Sequence, residues 1–217
     1  MEQEKLIKYI SVIGIDGSGH GEVIEHLKKL FPDAIPVKEP YGIMRAVLKP
    51  REPESKVFLT EHSIKELLEQ QLTNEAYYHL MLAGRNLLFQ SLKDENKLII
   101  SDRSHLCTYA YQIYAMGLER YKEDWIKYLK SFIPKDSIHL FLDCEPETAM
   151  ARKSGQRIDA LDEESVGFFR RVNNGYYDLL QKQRLLGGAR IIHVDANQDL
   201  EFVYKQIDFS ISYYKFV

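Results

Sequence analysis

Short apolar runs rich in valine and isoleucine alternate along the 217-residue chain with longer segments whose apolar residues recur at helical spacing. Runs of this kind, bounded by turn or polar residues, predict buried strands. Strands that alternate with helices form a parallel sheet covered on both faces. We therefore expect an α/β fold of three layers, α/β/α, with a five-stranded parallel sheet. The predicted strands are Tyr9–Gly14, Ala34–Lys38, Lys97–Asp102, Ile138–Cys144 and Arg190–Asp195.

The segments between these runs are predicted to be helical, because their apolar residues recur every three or four positions. No glycine- or serine-rich linker divides the chain, so a single domain over residues 1–217 is predicted, with residues 49–55 as a surface loop. The predicted helices are Glu22–Leu30, Glu61–Leu92, Leu106–Met116, Trp125–Phe132, Glu145–Arg152, Glu163–Leu186 and Leu200–Ser212.

Charge and composition exclude several classes of protein. The 29 Lys and Arg residues against 32 Asp and Glu give a formal charge of −3, whereas a nucleic-acid-binding domain usually carries a basic excess. The aromatic content of 12% argues against a disordered acidic chain. Two cysteines fit a reducing compartment, and neither a membrane-spanning stretch nor a signal peptide is apparent. We expect a cytoplasmic protein with no nucleic-acid or membrane partner.

The first predicted strand runs into a glycine-rich loop, GIDGSGHG, at residues 14–21. Gly14 and Gly19 have the spacing of a phosphate-binding loop, whose pattern is G-x-x-x-x-G-K-[ST]. Glycines at these positions let backbone N–H groups curl around a phosphate, and the following helix adds its own free N–H groups. His20, however, stands where lysine should contact the phosphates, and Gly21 stands where a hydroxyl should contact Mg²⁺. The loop alone is equally compatible with a phosphate site and with a glycine turn that binds nothing.

Further motifs follow in the same order as in one known family. Residues 14–19, Asp102-Arg103, and Leu142-Asp143 with Arg152 resemble the motifs of the thymidylate kinase family. The resemblance continues through the segment 159–176 to the last strand and helix, so that it covers nearly the whole chain. It also includes Glu39-Pro40 with Arg45, and Thr108 with Ala110, Tyr111 and Gln112.

The resemblance implies a P-loop kinase fold with a short lid at about residues 152–162. It also implies transfer of the γ-phosphate of ATP to dTMP or a related deoxynucleoside monophosphate, with Mg²⁺, in nucleotide biosynthesis. The family usually forms homodimers. Catalysis of this kind consists mainly of positioning and of neutralising phosphate charge.

Three residues receive catalytic or metal roles from the resemblance. Arg103 should grip the acceptor phosphate, because its planar fork of donors matches phosphate oxygens. Asp102 should hold Mg²⁺ through water, and Asp16 should approach the 3′-hydroxyl of the acceptor sugar. Local alternatives are an ion pair at a strand end for Asp102 and Arg103, and a turn-forming aspartate for Asp16.

The resemblance also assigns residues to the two nucleotides. The phosphate loop for ATP consists of Gly14, Gly17, Ser18, Gly19, His20 and Gly21. Met81 stands where the family usually has the aromatic residue that stacks on thymine. Ordinary helix packing is the alternative reading for Thr108, Tyr111 and Gln112. The residues assigned to the acceptor nucleotide are Glu39, Arg45, Met81, Arg85, Thr108, Tyr111 and Gln112.

The lid carries the candidates for a catalytic cation. Some members of the family have an arginine inside the phosphate loop, whereas others have glycine there and supply the cation from the lid. Gly17 in the loop and the basic segment 152–157 fit the second type. Arg157 is the first candidate and Lys153 the second, although a charge run of this kind is often only solvated.

The departures from the family are concentrated in the half of the site that would bind ATP phosphates. His20 and Gly21 remove a cation and a metal-binding hydroxyl. The sequence therefore allows a working kinase with an altered donor site. It also allows a catalytically impaired relative that binds nucleotide or acts through assembly. A weaker alternative is a loop that binds a smaller anion through its amides alone.

Overall fold

The computed structural model describes residues 8–38, 73–92, 95–132, 134, 137–153 and 166–213. Within these residues the chain forms a five-stranded parallel sheet in the order β2-β3-β1-β4-β5. The predicted sheet is confirmed, with each strand end within two residues of the prediction. The strands are β1 (Tyr9–Gly14), β2 (Ile35–Lys38), β3 (Ile99–Asp102), β4 (Ile138–Asp143) and β5 (Arg190–Asp195).

Burial along each strand follows its place in the sheet. Every residue of the central strand β1 is buried, as is every residue of β4 except the last. The edge strand β2 instead alternates between half-buried and exposed positions, and β5 has two buried residues among half-buried and exposed ones. This difference is expected for a parallel sheet whose middle is covered on both faces.

The helices are numbered in chain order over the described residues. The chain also forms a π-helix at Tyr109–Ala115 and 3₁₀ turns at Glu119–Tyr121 and Gln183–Leu186. No helix in the described part of the chain is long and apolar enough to cross a membrane. The α-helices are α1 (His20–Leu30), α2 (Asn74–Leu92), α3 (His105–Thr108), α4 (Lys122–Phe132), α5 (Pro146–Lys153), α6 (Val166–Gln181) and α7 (Leu200–Tyr213).

The strand order divides the helices between the two faces. From β1 the chain crosses to the edge strand β2, then returns through β3 and passes β1 to reach β4 and β5. Crossovers between parallel strands are right-handed. A crossover that runs across the sheet in the opposite direction therefore lies on the opposite face. Helix α7 lies beside α1, where the His26 ring bonds to Asp208 at 2.7 Å and stacks on Tyr204 at 4.1 Å.

The described helices agree with the predicted segments except in two regions. The helix predicted to run to Leu186 ends at Gln181 and is followed by the 3₁₀ turn at Gln183–Leu186. Residues 106–116 were expected to form one α-helix, but only one α-helical turn forms before the π-helix. The amide of Met116 bonds to the carbonyl of Tyr111, and the amide of Leu118 to that of Ile113, which are five-residue steps. The first twelve residues of the predicted helix 61–92 and the first three of the predicted helix 163–186 lie outside the described residues.

A glycine on α6 explains how the π-helix fits against the rest of the molecule. A β-carbon at Gly175 would lie 2.8 Å from the Cα of Ala110, which is closer than real side chains approach. Glycine therefore allows the backbone of α6 to approach that of the π-helix directly. This contact fixes the segment that carries Tyr111 and Gln112.

The strands end together at one edge of the sheet. Val12 pairs with Asp102 across β1 and β3, and Gly14 pairs with Leu142 across β1 and β4. The glycine-rich loop therefore leaves β1 between the carboxyl ends of β3 and β4. Crevices at this edge of parallel sheets are where ligands bind.

Candidate active site

The loop after β1 has the backbone conformation of a phosphate cradle. Gly17 and Gly19 adopt φ angles of 87° and 99°, which side chains disfavour. Gly19 is the N-cap of α1, and the amide of Ser18 bonds to the carbonyl of Ile15 at 3.2 Å. The unpaired amides at the start of a helix attract anions, so this turn is built to receive one.

Helix α5 packs directly on this loop. A β-carbon at Gly17 would overlap the carbonyl oxygen of Ala149 and would lie 3.1 Å from the Cδ of Lys153. The loop therefore has no room for a side chain at position 17. An arginine at this point of the loop is excluded by the packing, and the last turn of α5 brings Lys153 beside the loop.

His20 begins α1 and is buried, with 9% of its surface exposed. Its Nε2 has no hydrogen-bond partner among the described residues, and the same is true of the Oγ of Ser18. Burial lowers the pKa of His20, against smaller opposing effects of Asp102 and Glu22. The imidazole is therefore neutral near pH 7 and supplies a hydrogen bond but no fixed charge. A β-carbon at Gly21 would have no neighbour within 4 Å, so this position is open.

Arg103, just after β3, connects its strand to the phosphate loop. Its Nη1 donates to the carbonyl of Gly14 at 2.8 Å and to the hydroxyl of Tyr111 at 3.2 Å, while its Nη2 forms an ion pair with Asp16. Its φ of 81° is unusual for a residue other than glycine. Conformations of this kind persist where surrounding contacts enforce them, and they cluster at functional sites.

The carbonyl of Gly14 also receives two tyrosine hydroxyls. Tyr111, on the π-helix, donates at 3.4 Å and Tyr176, on α6, at 3.3 Å. Burial raises the pKa of both tyrosines, so both remain neutral donors. The contact of Tyr176 with the phosphate loop was not predicted from the sequence. Tyr176 lies within the predicted helix 163–186, and the helical pattern gave no signal of a contact with a residue 162 positions away.

The described residues assigned to the acceptor nucleotide lie on α2, α3 and the π-helix. Met81 and Arg85 lie one turn apart on the buried side of α2, and each is at most 3% exposed. The Nη1 of Arg85 donates to the hydroxyl of Thr108. Gln112, on the π-helix, is 5% exposed. A buried guanidinium bonded to a hydroxyl is a pair of polar groups of the kind that recognises a polar ligand.

Asp102 is the candidate metal ligand. It ends β3 beside the phosphate loop and is half-buried. The described residues contain no group of three or more His, Cys, Asp or Glu side chains arranged to hold a metal ion by themselves. One carboxylate is nevertheless consistent with Mg²⁺, which keeps several waters and is bound together with substrate phosphates.

Arg152, in the last turn of α5, has a structural role that the sequence did not reveal. Its Nη1 donates to the carbonyl of Ala196 at 2.8 Å, and its Nη2 to that of Gln198 at 3.5 Å. It thereby fastens α5 to the loop after β5. Three further predicted site residues, Glu39, Arg45 and Arg157, lie outside the described residues, as does the lid beyond Lys153.

Comparisons with known proteins agree with this geometry. A family model described as thymidylate kinase matches residues 12–207. A curated thymidylate kinase of Chlorobium limicola is 27% identical over 213 residues, 91% of each chain, and one of Caldanaerobacter subterraneus subsp. tengcongensis is 28% identical over 215 residues, 92% of each chain. The crystal structure of thymidylate kinase from Ehrlichia chaffeensis shares the fold with a TM-score of 0.61, at 21% identity, covering 94% of this chain and 98% of that one.

A parallel sheet with a phosphate loop after its first strand, and an arginine after the neighbouring strand, has the arrangement of a nucleoside monophosphate kinase. Such enzymes are nucleotide-binding transferases. The family match, which spans most of the sequence, defines the group more narrowly: the chain belongs to the thymidylate kinase family.

Proposed function

We propose that this protein transfers the γ-phosphate of ATP to dTMP or a closely related deoxynucleoside monophosphate. The observation that carries the proposal is the position of Arg103, whose guanidinium bridges the strand end and the phosphate loop. A cation at this point lies between the place for the donor phosphates and the place for the acceptor. The two relatives described above as thymidylate kinases support the choice of dTMP.

In this proposal Asp16 and Arg103 exchange partners when the acceptor binds. The Asp16 carboxylate pairs with Nη2 of Arg103, and a phosphate oxygen presents the same charge and acceptor geometry to that nitrogen. The acceptor phosphate would therefore replace the carboxylate. Asp16 would then be available to accept a hydrogen bond from the 3′-hydroxyl of the sugar.

The acceptor base would bind against α2. Met81 would cover one face of the base, and Arg85 and Thr108 would donate to its edge. Tyr111 and Gln112, held by the π-helix, would line the sugar and base. Glu39 and Arg45 complete the proposed acceptor site from outside the described residues.

The donor would bind at the loop formed by residues 14–21. The amides of the loop and of the first turn of α1 would hold its phosphates, with Nε2 of His20 as a further donor. Asp102 would hold Mg²⁺ through water, and the ion would offset the negative charge that develops on the phosphates. Reaction forms a bond from the γ-phosphorus to an acceptor phosphate oxygen and breaks the bond to the β–γ bridging oxygen, leaving ADP.

The proposal includes three further properties: one domain over residues 1–217 and a cytoplasmic location, which the sequence predicts, and a homodimer, which the family resemblance implies. Sedimentation velocity measures the last of these. A single species at twice the mass of the 25.4 kDa chain supports the dimer, and a species at the monomer mass excludes it.

A second candidate function is favoured by His20 and Gly21. A buried neutral imidazole in place of lysine, and an open position in place of a hydroxyl, leave the donor loop without two groups used in phosphoryl transfer. A protein of this kind would bind nucleotide, or act through assembly, with little turnover. Removing one such group can slow phosphoryl transfer by orders of magnitude.

Steady-state turnover with Mg²⁺, ATP and each deoxynucleoside monophosphate in turn distinguishes the two candidates. The kinase proposal expects ADP formation that depends on the acceptor and is fastest with dTMP. Folded protein that binds dTMP in a calorimeter without turnover supports the second candidate. Folded protein that neither binds nor phosphorylates any of the monophosphates contradicts both.

A further inference from the structure

The carbonyl oxygen of Gly14, where β1 runs into the phosphate loop, receives three side-chain donors. Nη1 of Arg103 donates at 2.8 Å, and the hydroxyls of Tyr176 and Tyr111 donate at 3.3 and 3.4 Å. A carbonyl oxygen has two lone pairs, so two donors are enough to satisfy it. The Gly14 carbonyl therefore holds one donor more than it needs, and the shortest of the three bonds comes from the arginine proposed to grip the acceptor phosphate.

Both hydrogens on Nη1 of Arg103 are already used in this arrangement. One goes to the carbonyl of Gly14 and the other to the hydroxyl of Tyr111, while Nη2 pairs with Asp16. A guanidinium that grips a phosphate with two parallel bonds through its terminal nitrogens must give up a partner at each of them. Exchange with Asp16 frees Nη2 alone, so Nη1 must also leave one of its partners.

The Gly14 carbonyl is the partner that Nη1 can leave. Two hydroxyl donors remain to this carbonyl after the arginine turns away. The hydroxyl oxygen of Tyr111, in contrast, has Nη1 of Arg103 as its one hydrogen-bond donor among the described residues. Release from the carbonyl therefore strands no buried polar atom, whereas release from Tyr111 removes that oxygen's donor.

Tyr176 is placed to serve the loop carbonyl without contacting the ligand. It is fully buried, whereas the side chain of Arg103 is 17% exposed. Its ring packs on that of Phe141, with the centroids 4.9 Å apart, which fixes the ring independently of the hydroxyl. The thiol of Cys107 also bonds to this hydroxyl, but a thiol is a weak partner and does not replace the carbonyl.

We propose that Tyr176 is a positioning residue that releases Arg103 to the acceptor phosphate. When Nη1 turns from the Gly14 carbonyl to a phosphate oxygen, the hydroxyls of Tyr176 and Tyr111 keep that buried carbonyl satisfied. The inference rests on the proposed kinase function and extends it to the recognition of the acceptor phosphate. Without Tyr176 the released carbonyl would retain one long bond, and incomplete pairing of a buried carbonyl disfavours the ligand-bound state.

The test compares two ligands that differ only in the phosphate. Calorimetry gives the Kd of dTMP and the Kd of thymidine, which has no phosphate and so leaves Nη1 at the carbonyl. We expect Tyr176→Phe to raise the dTMP Kd roughly fivefold, the worth of one hydrogen bond, and to leave the thymidine Kd within about twofold. Tyr177→Phe is the matched control, because this next tyrosine on α6 donates to Asp143 at 2.5 Å instead of to the loop, and neither Kd should change.

A double-mutant cycle shows whether Tyr176 acts through Arg103. Lysine at position 103 has no second arm to release, so Tyr176→Phe in the Arg103→Lys background should change the dTMP Kd by less than about twofold. A purely structural role predicts the same loss in both backgrounds.

Thermal unfolding of each variant shows that it is folded. If Tyr176→Phe does not fold, 3-fluorotyrosine incorporated at position 176 takes its place. Fluorine makes the phenol a stronger hydrogen-bond donor, so the dTMP Kd should then fall relative to the thymidine Kd. An unchanged ratio of the two Kd values in that protein contradicts the inference.

Three results from folded Tyr176→Phe overturn the inference: an unchanged dTMP Kd, an equal rise in the Kd of dTMP and of thymidine, or the same loss in the Arg103→Lys background. Wild-type protein that does not bind dTMP overturns it as well. Failure of the proposed kinase activity alone has a different pattern. In that case turnover is absent, while the dependence of dTMP binding on Tyr176 remains measurable.

Discussion

Arg103 joins the end of β3 to two other parts of the candidate site. Its guanidinium meets a carboxylate and a carbonyl of the phosphate loop and a hydroxyl of the π-helix. The sequence predicted a phosphate-binding arginine here, but it did not predict the pairing with Asp16. That pairing depends on the register of β1 and β3, which brings residues of two distant motifs together.

Arg103→Lys tests this position directly. Lysine keeps the charge but lacks the fork, so one charge-assisted hydrogen bond to the acceptor phosphate is lost. We expect kcat/KM for the acceptor to fall roughly 10- to 100-fold, the worth of one such bond. Steady-state kinetics with varied dTMP measures this kcat/KM. Arg184→Lys, in an exposed 3₁₀ turn, is the control, and equal values for both variants would argue against the assigned role.

At the scale of elements, the strands and most helices could be predicted because each is encoded by local apolar periodicity. The π-helix could not, because it depends on tertiary packing of Ala110 against Gly175, and no local pattern encodes a five-residue step. The contact of α5 with the phosphate loop could not be predicted from the sequence either. The sequence has glycine at position 17, but only the structure shows that the carbonyl of Ala149 leaves no room there for a side chain.

Gly17→Ala should separate the loop from α5. The new methyl group meets the carbonyl of Ala149, and the φ of 87° becomes strained, so we expect a loss of at least about 1 kcal/mol in unfolding free energy. Donor affinity should fall because the loop that would hold the phosphates is displaced. Urea unfolding and calorimetry measure the two effects.

Gly21→Ala is the matched control for stability. This helical position is open to a β-carbon, and alanine is the better helix former, so stability should rise by roughly 0.5–1 kcal/mol. Similar destabilisation by both substitutions would show that the packing of α5 is not the cause.

For the whole molecule, two fully buried histidines make stability depend on pH. His139, in β4, bonds to Ser11 at 2.6 Å and Ser137 at 3.1 Å, and burial lowers its pKa from 6.5 to about 3. Burial also lowers the pKa of His105 well below its usual value. Both are neutral when folded, whereas the unfolded chain binds protons below about pH 6.5. Stability is therefore complete above that pH and is lost progressively as the pH falls towards 3.

Urea unfolding between pH 5.0 and 6.0 measures this dependence in a range where carboxylates remain charged in both states. Each buried histidine should contribute a slope of about 1.4 kcal/mol per pH unit. Glutamine does not titrate, so His139→Gln should reduce the slope by about 1.4 kcal/mol per pH unit, whatever its effect on stability at pH 7. A stability that does not change over this range would contradict the neutral, buried state of these rings.

Phosphoryl transfer to dTMP is measured most directly by phosphorus NMR of the purified protein with Mg²⁺, ATP and dTMP. The β-phosphate resonance of dTDP should appear at the rate at which ADP forms, one for one, and the Arg103→Lys protein should produce it more slowly. ADP formation without dTDP, or no reaction with any deoxynucleoside monophosphate from protein shown to be folded, would contradict the assignment of this chain as a working kinase.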